Sequence, residues 1–263
     1  MTKLILHFDI NGTLTAIDNT DQITKNHNIN MLVSKSIFGD VLENEWIPSV
    51  YPFDEEKYIS YYDYLKKKHP KMYKKYAYKF TEKNEPGEEF RHYYDKMIQQ
   101  KNFIFSSFIN VLTTFDCKLV LRTFGVDGKE VINNLRKLGY KKKFILGHFS
   151  RTKNNIYLKL GNRTVIVGYK NIHKFIKHSK YNLLLVDNYK YWNDNKKDPL
   201  CGKVVFKNKS KQLFFDDNYC CDVRTTKGVP KPNNNIFVKV NTLRAMIEPD
   251  YYVKIIKERF KLK

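Results

Sequence analysis

The sequence predicts an α/β protein: a parallel sheet with helices on both faces, interrupted early by a large, mainly helical insertion. Three observations carry this reading. Short apolar runs end abruptly on polar residues at positions 4–9, 117–123 and 212–217, the pattern of strands buried on both faces. Strand-like and helix-like stretches alternate from residue 118 onward, as they do in a parallel sheet with crossover helices. Finally, 114 residues separate Asp9 from Thr123, whereas a direct strand–helix–strand crossover needs only about thirty.

The first element is Leu4-Ile5-Leu6-His7-Phe8-Asp9, followed at once by Ile10-Asn11-Gly12-Thr13-Leu14. In an open α/β sheet, ligands bind in the crevice beyond the strand C-termini. Asp9 therefore stands where chemistry is done, and Gly12 frees the backbone to turn sharply. Alone, the segment also fits a strand and hairpin turn, because Asp and Asn-Gly are turn formers. The long interval that follows reads as helical over 54–68, 70–83 and 86–115, with apolar and aromatic residues three or four apart among Lys and Glu. Pro70 and Pro86 fall between these runs, where proline opens helices, and Pro86-Gly87-Glu88-Glu89 before Phe90 is the clearest helix start. The aromatic stripe reads as core packing.

From there the pattern alternates: a strand at 118–122, a helix at 128–138 ending at Gly139, and a strand at 144–146. A hairpin follows over 156–160 and 164–167 around Gly161-Asn162, then a helix at 172–178 and a strand at 182–186 ending on Asp187. Strands at 204–206, 213–215 and 236–240 precede a closing helix over 243–260 that is broken at Pro249. Asn233-Asn234-Asn235 reads as loop.

Three strand ends now stand out: Asp9, Thr123 with Phe124-Gly125 behind it, and Asp216-Asp217. In this order they resemble the haloacid dehalogenase (HAD) superfamily. Its first motif is Asp-x-Asp-Gly-Thr, its second a strand ending in Ser or Thr, its third a Lys, and its fourth a strand ending in paired acids. The motifs span residues 4–218. One position departs from the pattern, since Asn11 stands where family phosphatases carry the second Asp. The resemblance implies a Rossmann-like, doubly wound core over residues 1–20 and 105–263. It also implies a helical cap over the catalytic crevice, in residues 20–104.

The resemblance further implies a Mg²⁺-dependent phosphohydrolase that acts through an aspartyl phosphate. A carboxylate attacking phosphorus splits one hard hydrolysis into two easier steps, and Asp9 is the candidate nucleophile. Asp9, Asp216 and Asp217 together need a cation, since close carboxylates cannot all stay ionised unpaired. An oxygen-only ligand set suits Mg²⁺, and Asn11 keeps the backbone carbonyl that the family offers to the metal. Thr123, Gly12, Thr13, Phe124 and Gly125 would cradle the phosphate, with Arg122 in reach of an anion. The motif lysine is Lys203 in Gly202-Lys203, with Lys190 as the second choice. Asp187-Asn188 competes with Asp216-Asp217, which is preferred because both carboxylates are present. Asn11 does not titrate, so it cannot supply the acid–base help usually worth about 10²–10⁴-fold.

Two other readings stay open. One is a non-catalytic HAD-like protein that binds a phosphorylated ligand or a protein partner. The other is a nucleic-acid-directed protein, invited by the net charge of +21 and by lysines interleaved with aromatics over 61–83. Against the latter, Lys, Asn, Ile, Tyr and Phe are raised together along the whole chain, as AT-rich coding sequence produces. The charge does favour anionic substrates. The 263 residues contain no apolar run of transmembrane length and no signal-peptide pattern. The four cysteines lack metal-ligand spacing. These features lead one to expect a cytoplasmic protein with free thiols and no membrane partner.

Overall fold

The computed structural model describes residues 4–15, 24–49, 58–99, 104–153, 155–161, 164–207, 211–231 and 235–262. Strand β1 (Leu4–Asp9) leads through a tight turn towards helix α1 (Lys25–Ser36). A small antiparallel sheet follows, made of β2 (Phe38–Leu42), β3 (Glu45–Pro48) and β4 (Ile59–Ser60). Helices α2 (Tyr61–Lys68), α3 (Tyr73–Ala77), α4 (Arg91–Ile98) and α5 (Ser106–Thr114) lead to β5 (Cys117–Thr123). The rest alternates as α6 (Gly128–Lys137), β6 (Phe144–Arg151), β7 (Ile156–Leu160), β8 (Thr164–Val167), α7 (Tyr169–His178), β9 (Asn182–Val186) and α8 (Tyr189–Asp194). Strands β10 (Lys203–Phe206), β11 (Gln212–Asp216), β12 (Cys221–Arg224) and β13 (Phe237–Lys239) precede α9 (Thr242–Ile247) and α10 (Tyr251–Phe260).

The main sheet runs β13-β11-β1-β5-β9-β6-β7-β8. All neighbours are parallel up to β6, and the β6–β7 and β7–β8 pairs are antiparallel, so that β7 alone runs against the rest. This is a mixed α/β protein with a large, mostly parallel central sheet, as the alternation predicts. Strand β1 lies inside it, third from one edge, and chain order reverses around it: β5, β9 and β6 lie on one side, β11 and β13 on the other. Successive side chains of a strand point to opposite faces. Leu6, Phe8, Leu119, Leu121, Leu213 and Phe215 enter one core, whereas Ile5, Val120, Leu183 and Leu185 enter another. Helix α7 closes the second core with Ile172 and Ile176.

The first core also takes in the segment between β1 and β5: Ile29, Leu32 and Val33 of α1, then Trp46, Tyr61, Phe80, Tyr94 and Met97. The aromatic stripe is therefore core packing. The segment's structure differs from the expectation in two respects. The runs at 54–68, 70–83 and 86–115 are shorter helices separated by turns, with a 3₁₀ turn at Glu88–Phe90 before α4. Residues 54–57 and 100–103, like Asn162, Asn233 and Asn234, lie outside the described residues. The second difference is the β2–β3 hairpin, whose turn residues Glu43 and Asn44 both take positive φ. β-branched residues are few in it, so its alternation is masked. Strands β10 and β12 pair with each other, apart from the main sheet. Among the described residues no helix is long and apolar enough to cross a membrane, and no disulfide joins the cysteines.

Candidate active site

Register brings three strand ends together. Phe8 sits opposite Phe215 in β11, and Asp9 opposite Arg122 in β5. Asp9, Asp216 and Thr123 therefore crowd the C-terminal edge of the sheet at its point of reversal, where α/β proteins bind ligands. One carboxylate oxygen from each of Asp9, Asp216 and Asp217 lies within 4.8 Å of the other two.

The turn after β1 is closed by Ile10 O, which accepts from the backbone N–H groups of Leu14 at 2.8 Å and Thr15 at 3.1 Å. Gly12 takes φ +74°, and a Cβ there would lie 2.5 Å from Asp217 Oδ2. Only glycine satisfies both the bend and the approach of the acid. Thr242 Oγ1 donates to Gly12 O at 2.6 Å, and Tyr252 OH donates to Thr13 O, so α9 and α10 pin the turn from behind.

Lys203 is the cation of the cluster. Its buried ammonium donates to Asp9 Oδ1 and, at 2.8 Å, to Asp216 Oδ2. Burial works against the charge, but Asp216 and Asp9 outweigh it and raise the pKa further. The preceding Gly202 has a steric reason, since a Cβ there would fall 1.9 Å from Cys220 O. That contact lets Lys203 N–H donate to Cys220 O at 2.6 Å and start β10 beside the acids. Lys190, by contrast, pairs with Asp194 on exposed α8. The backbone N–H of Asn218 donates to Asp216 Oδ1, and the Cys220 thiol donates to Oδ2 at 3.2 Å, so both oxygens of Asp216 are engaged. Asp217 Oδ1 is buried without a hydrogen-bond partner among the described residues. Burial, then Asp216, raises the pKa of Asp217 to about 6. Burial likewise pushes Asp9 well up, with Lys203 opposing and Asp216 and Asp217 adding to the rise.

A cavity of about 290 Å³ opens over this cluster. Asp9, Asn11, Gly12, Thr123, Phe124, Gly125 and Lys203 line it from the core, and Asn28, Leu32 and Lys35 line it from α1. Thr123 Oγ1 accepts from Gly125 N–H at 2.8 Å and shapes the turn under the cavity floor. Phe124 stacks on Trp192, with ring centroids 4.9 Å apart, and this pair forms the rim.

Two expected phosphate-binding residues lie elsewhere. Arg122 is fully buried: Nε and Nη2 donate to Asp187 at 2.9 and 2.5 Å, and Nη1 donates to Val204 O at 2.9 Å. Alternation along β5 turns Arg122 away from the cleft that Thr123 lines, and its donors are consumed by the fold. Thr13 is also fully buried, with its hydroxyl unpartnered among the described residues, because the turn rolls its side chain inward. His7 packs edge-on against Phe214, and burial lowers its pKa well below the usual range.

Sequence reasoning missed Asp127, which is buried and accepts from Asn11 Nδ2 at 3.0 Å. It stands at the N-terminus of α6 without capping that helix, and instead crosses 116 residues of sequence to hold Asn11. Asn28 was missed too; its only signal is an amide on an apolar helix face.

Because Asp187 serves Arg122 and not the acid cluster, Asp187→Ala should cost about 3–5 kcal/mol, the penalty for stranding a buried charge. Any affinity of the acid cluster for Mg²⁺ should stay unchanged. Chemical denaturation beside calorimetric titration reads both, and a weakened metal site would contradict the placement. No family model, curated protein or solved structure matches the chain.

Proposed function

We propose that the chain is a HAD-like phosphohydrolase that attacks a phosphate monoester with Asp9, its core closed over by residues 20–104 as a cap. The observation that carries this is the Lys203 ammonium between Asp9 and Asp216, with Asp217 beside them, at the ends of adjacent parallel strands. Three carboxylates against one ammonium leave net negative charge in a buried place, which a divalent cation would offset. The residues suit Mg²⁺: the donors are all oxygen, and Asp217 Oδ1 is buried and unpaired. Asp9, the backbone carbonyl of Asn11, Asp216 and Asp217 would hold the ion, Asp216 less directly because its oxygens already accept from Lys203, Cys220 and Asn218. When bound, the cation neutralises the charge of the phosphate and of the transition state.

This chain's own residues do the rest. Lys203 orients Asp9 and holds an ammonium beside the incoming phosphate. The Thr123 hydroxyl, whose oxygen accepts from Gly125 N–H, keeps its own proton to offer to a phosphate oxygen. Asp9 bonds to phosphorus as the ester oxygen leaves; water then attacks the acyl phosphate, releasing inorganic phosphate and restoring the carboxylate. Asn11 cannot protonate the leaving oxygen, which favours substrates whose leaving group departs as an anion. The non-catalytic reading rests on that same residue. Hydrolysis of nitrophenyl phosphate with Mg²⁺ decides between them: turnover lost on chelation supports the enzyme, and no turnover at any metal concentration supports the binding protein.

Protons and metal should compete at Asp217. In the metal-free protein its raised pKa means that a bound proton favours the fold between the ordinary 3.8 and about 6. That contribution falls away as pH rises through this window. Mg²⁺ takes over above it, so affinity should fall roughly tenfold per pH unit below about 6. Asp217→Asn should flatten this dependence and weaken binding more than Asp216→Asn does. Calorimetric titrations at pH 5 and 7 check both expectations.

A further inference from the structure

Three aromatic rings gather at the rim of the cavity over Asp9. Phe124 and Trp192 line it, and Tyr189 stands edge-on to both, its centroid 5.8 and 6.1 Å from theirs. Backbone pairing sets this up: Asp187 N–H donates to Thr123 O at 2.7 Å, so the chain entering α8 runs beside the turn that carries Phe124. The three rings lie outside the apolar cores of the described residues, and the indole N–H of Trp192 finds no hydrogen-bond partner there. Packing of the sheet therefore does not require them. Their position does bear on the reaction. The Lys203 ammonium that donates to Asp9 Oδ1 lies 4.9 Å from the Phe124 centroid. A ring joined to phosphorus through a single oxygen would meet Phe124 at that range, whereas one at the far side of a sugar would lie beyond it. At about 290 Å³ the cavity is also at the small end of ligand pockets, which run from about 300 to 1,000 Å³.

We propose that the ester this site takes is the monophosphate of a phenol, with Phe124 and Trp192 selecting its ring. This rests on the reading of Asp9 as the nucleophile. Aromatic rings meet offset or edge-on with centroids about 4.5–7 Å apart, arrangements that Trp192 and Tyr189 already make with Phe124. Asn11 supports the same class on separate grounds: its amide has no acidic proton to give, and Nδ2 is engaged by Asp127 at 3.0 Å. A phenol ionises at about pH 10, far below an alkyl alcohol, so its anion leaves without a proton donor. The bond from Asp9 to phosphorus forms as the bond from phosphorus to the phenolic oxygen breaks. The phenolate departs with the electron pair and takes its proton from water.

Binding of phosphonates, which cannot be hydrolysed, tests the assignment independently of turnover. The wild-type protein with Mg²⁺ is titrated calorimetrically with benzylphosphonate, whose methylene stands for the ester oxygen. The comparison ligand is cyclohexylmethylphosphonate, of equal reach but with a puckered, saturated ring that bare apolar burial would favour. Two ring contacts at the usual worth of an aromatic pair predict that benzylphosphonate binds at least about fivefold tighter. Trp192→Leu should bring the ratio to within about twofold of one, and Trp192→Phe, which keeps a ring, should retain the preference. Thermal melting confirms that both variants fold. Equal affinities in the wild type, or no binding of either ligand, overturn the assignment, as does a preference that survives in Trp192→Leu. Hydrolysis of alkyl and aryl phosphates separates the two readings. Turnover without the ring preference keeps the phosphatase and removes the phenol, whereas the preference without turnover keeps the ring assignment and removes Asp9 as nucleophile.

Discussion

Asp9→Asn is expected to abolish nitrophenyl phosphate hydrolysis, by at least about 10⁴-fold, without loss of thermal stability. The activity loss follows from removing the atom that bonds to phosphorus; nucleophile deletions elsewhere reach about 10⁶-fold. The stability result follows from the environment. Asp9 is buried against Asp216 and Asp217, and burial first, then these acids, raise its pKa despite Lys203. A carboxyl whose folded pKa is raised loses stabilisation as pH rises through that value, so at neutral pH its ionised form weighs against the fold. The amide keeps an acceptor for Lys203, which retains Asp216 as its counter-ion. An unchanged or raised melting temperature with no turnover is the expected pair. Activity within tenfold of wild type would remove Asp9 as nucleophile, and a large drop in melting temperature would make it a structural acid.

Asn11→Asp should have the largest effect in the other direction. The new carboxylate would meet Asp127, which now accepts from Asn11 Nδ2 at 3.0 Å. Two carboxylates at that spacing share one proton and titrate as a pair. A carboxylic acid kept protonated near neutral pH is what a poor leaving group needs. Alkyl phosphates should therefore gain up to about 10²–10⁴-fold, while nitrophenyl phosphate, whose leaving group departs unaided, gains little. The added variant Asn11→Asp/Asp127→Asn separates the causes, because without the partner acid the shared proton is lost and the alkyl gain should shrink. If both substrates slow alike in the single variant, the added charge distorts the site and the missing proton donor is not what limits turnover.

How far the site was legible depends on where each residue's partners lie in sequence. Strands buried on both faces write themselves as apolar runs, so β1, β5 and β11 and the polar residues that end them stand out. Lys203 is legible for a local reason as well: Gly202 is needed where β10 starts against Cys220. Arg122 misleads because at a strand end it reads as an anion ligand. The pleat instead sends it to Asp187, 65 residues away in sequence. Asp127 is invisible for the opposite reason, since a helix-start aspartate reads as a cap and its partner is 116 residues distant. The β2–β3 hairpin is hidden because β-branched residues are few in it and its turn is Glu43-Asn44 in place of an Asn-Gly or Asp-Gly pair.

The interior place of β1 also sets the order in which the protein can be made. Its neighbours are β5, beginning at Cys117, and β11, beginning at Gln212. At about 5–20 residues per second, a ribosome takes roughly 10–40 s to pass from the first strand to the last of these partners. Throughout that time Leu4-Ile5-Leu6-His7-Phe8 has an open edge on one side at least, and unpaired apolar edges invite wrong partners. Nascent chains truncated before residue 212 should therefore engage chaperones or aggregate, and full-length chains should fold slowly for their size, as distant strand pairing requires.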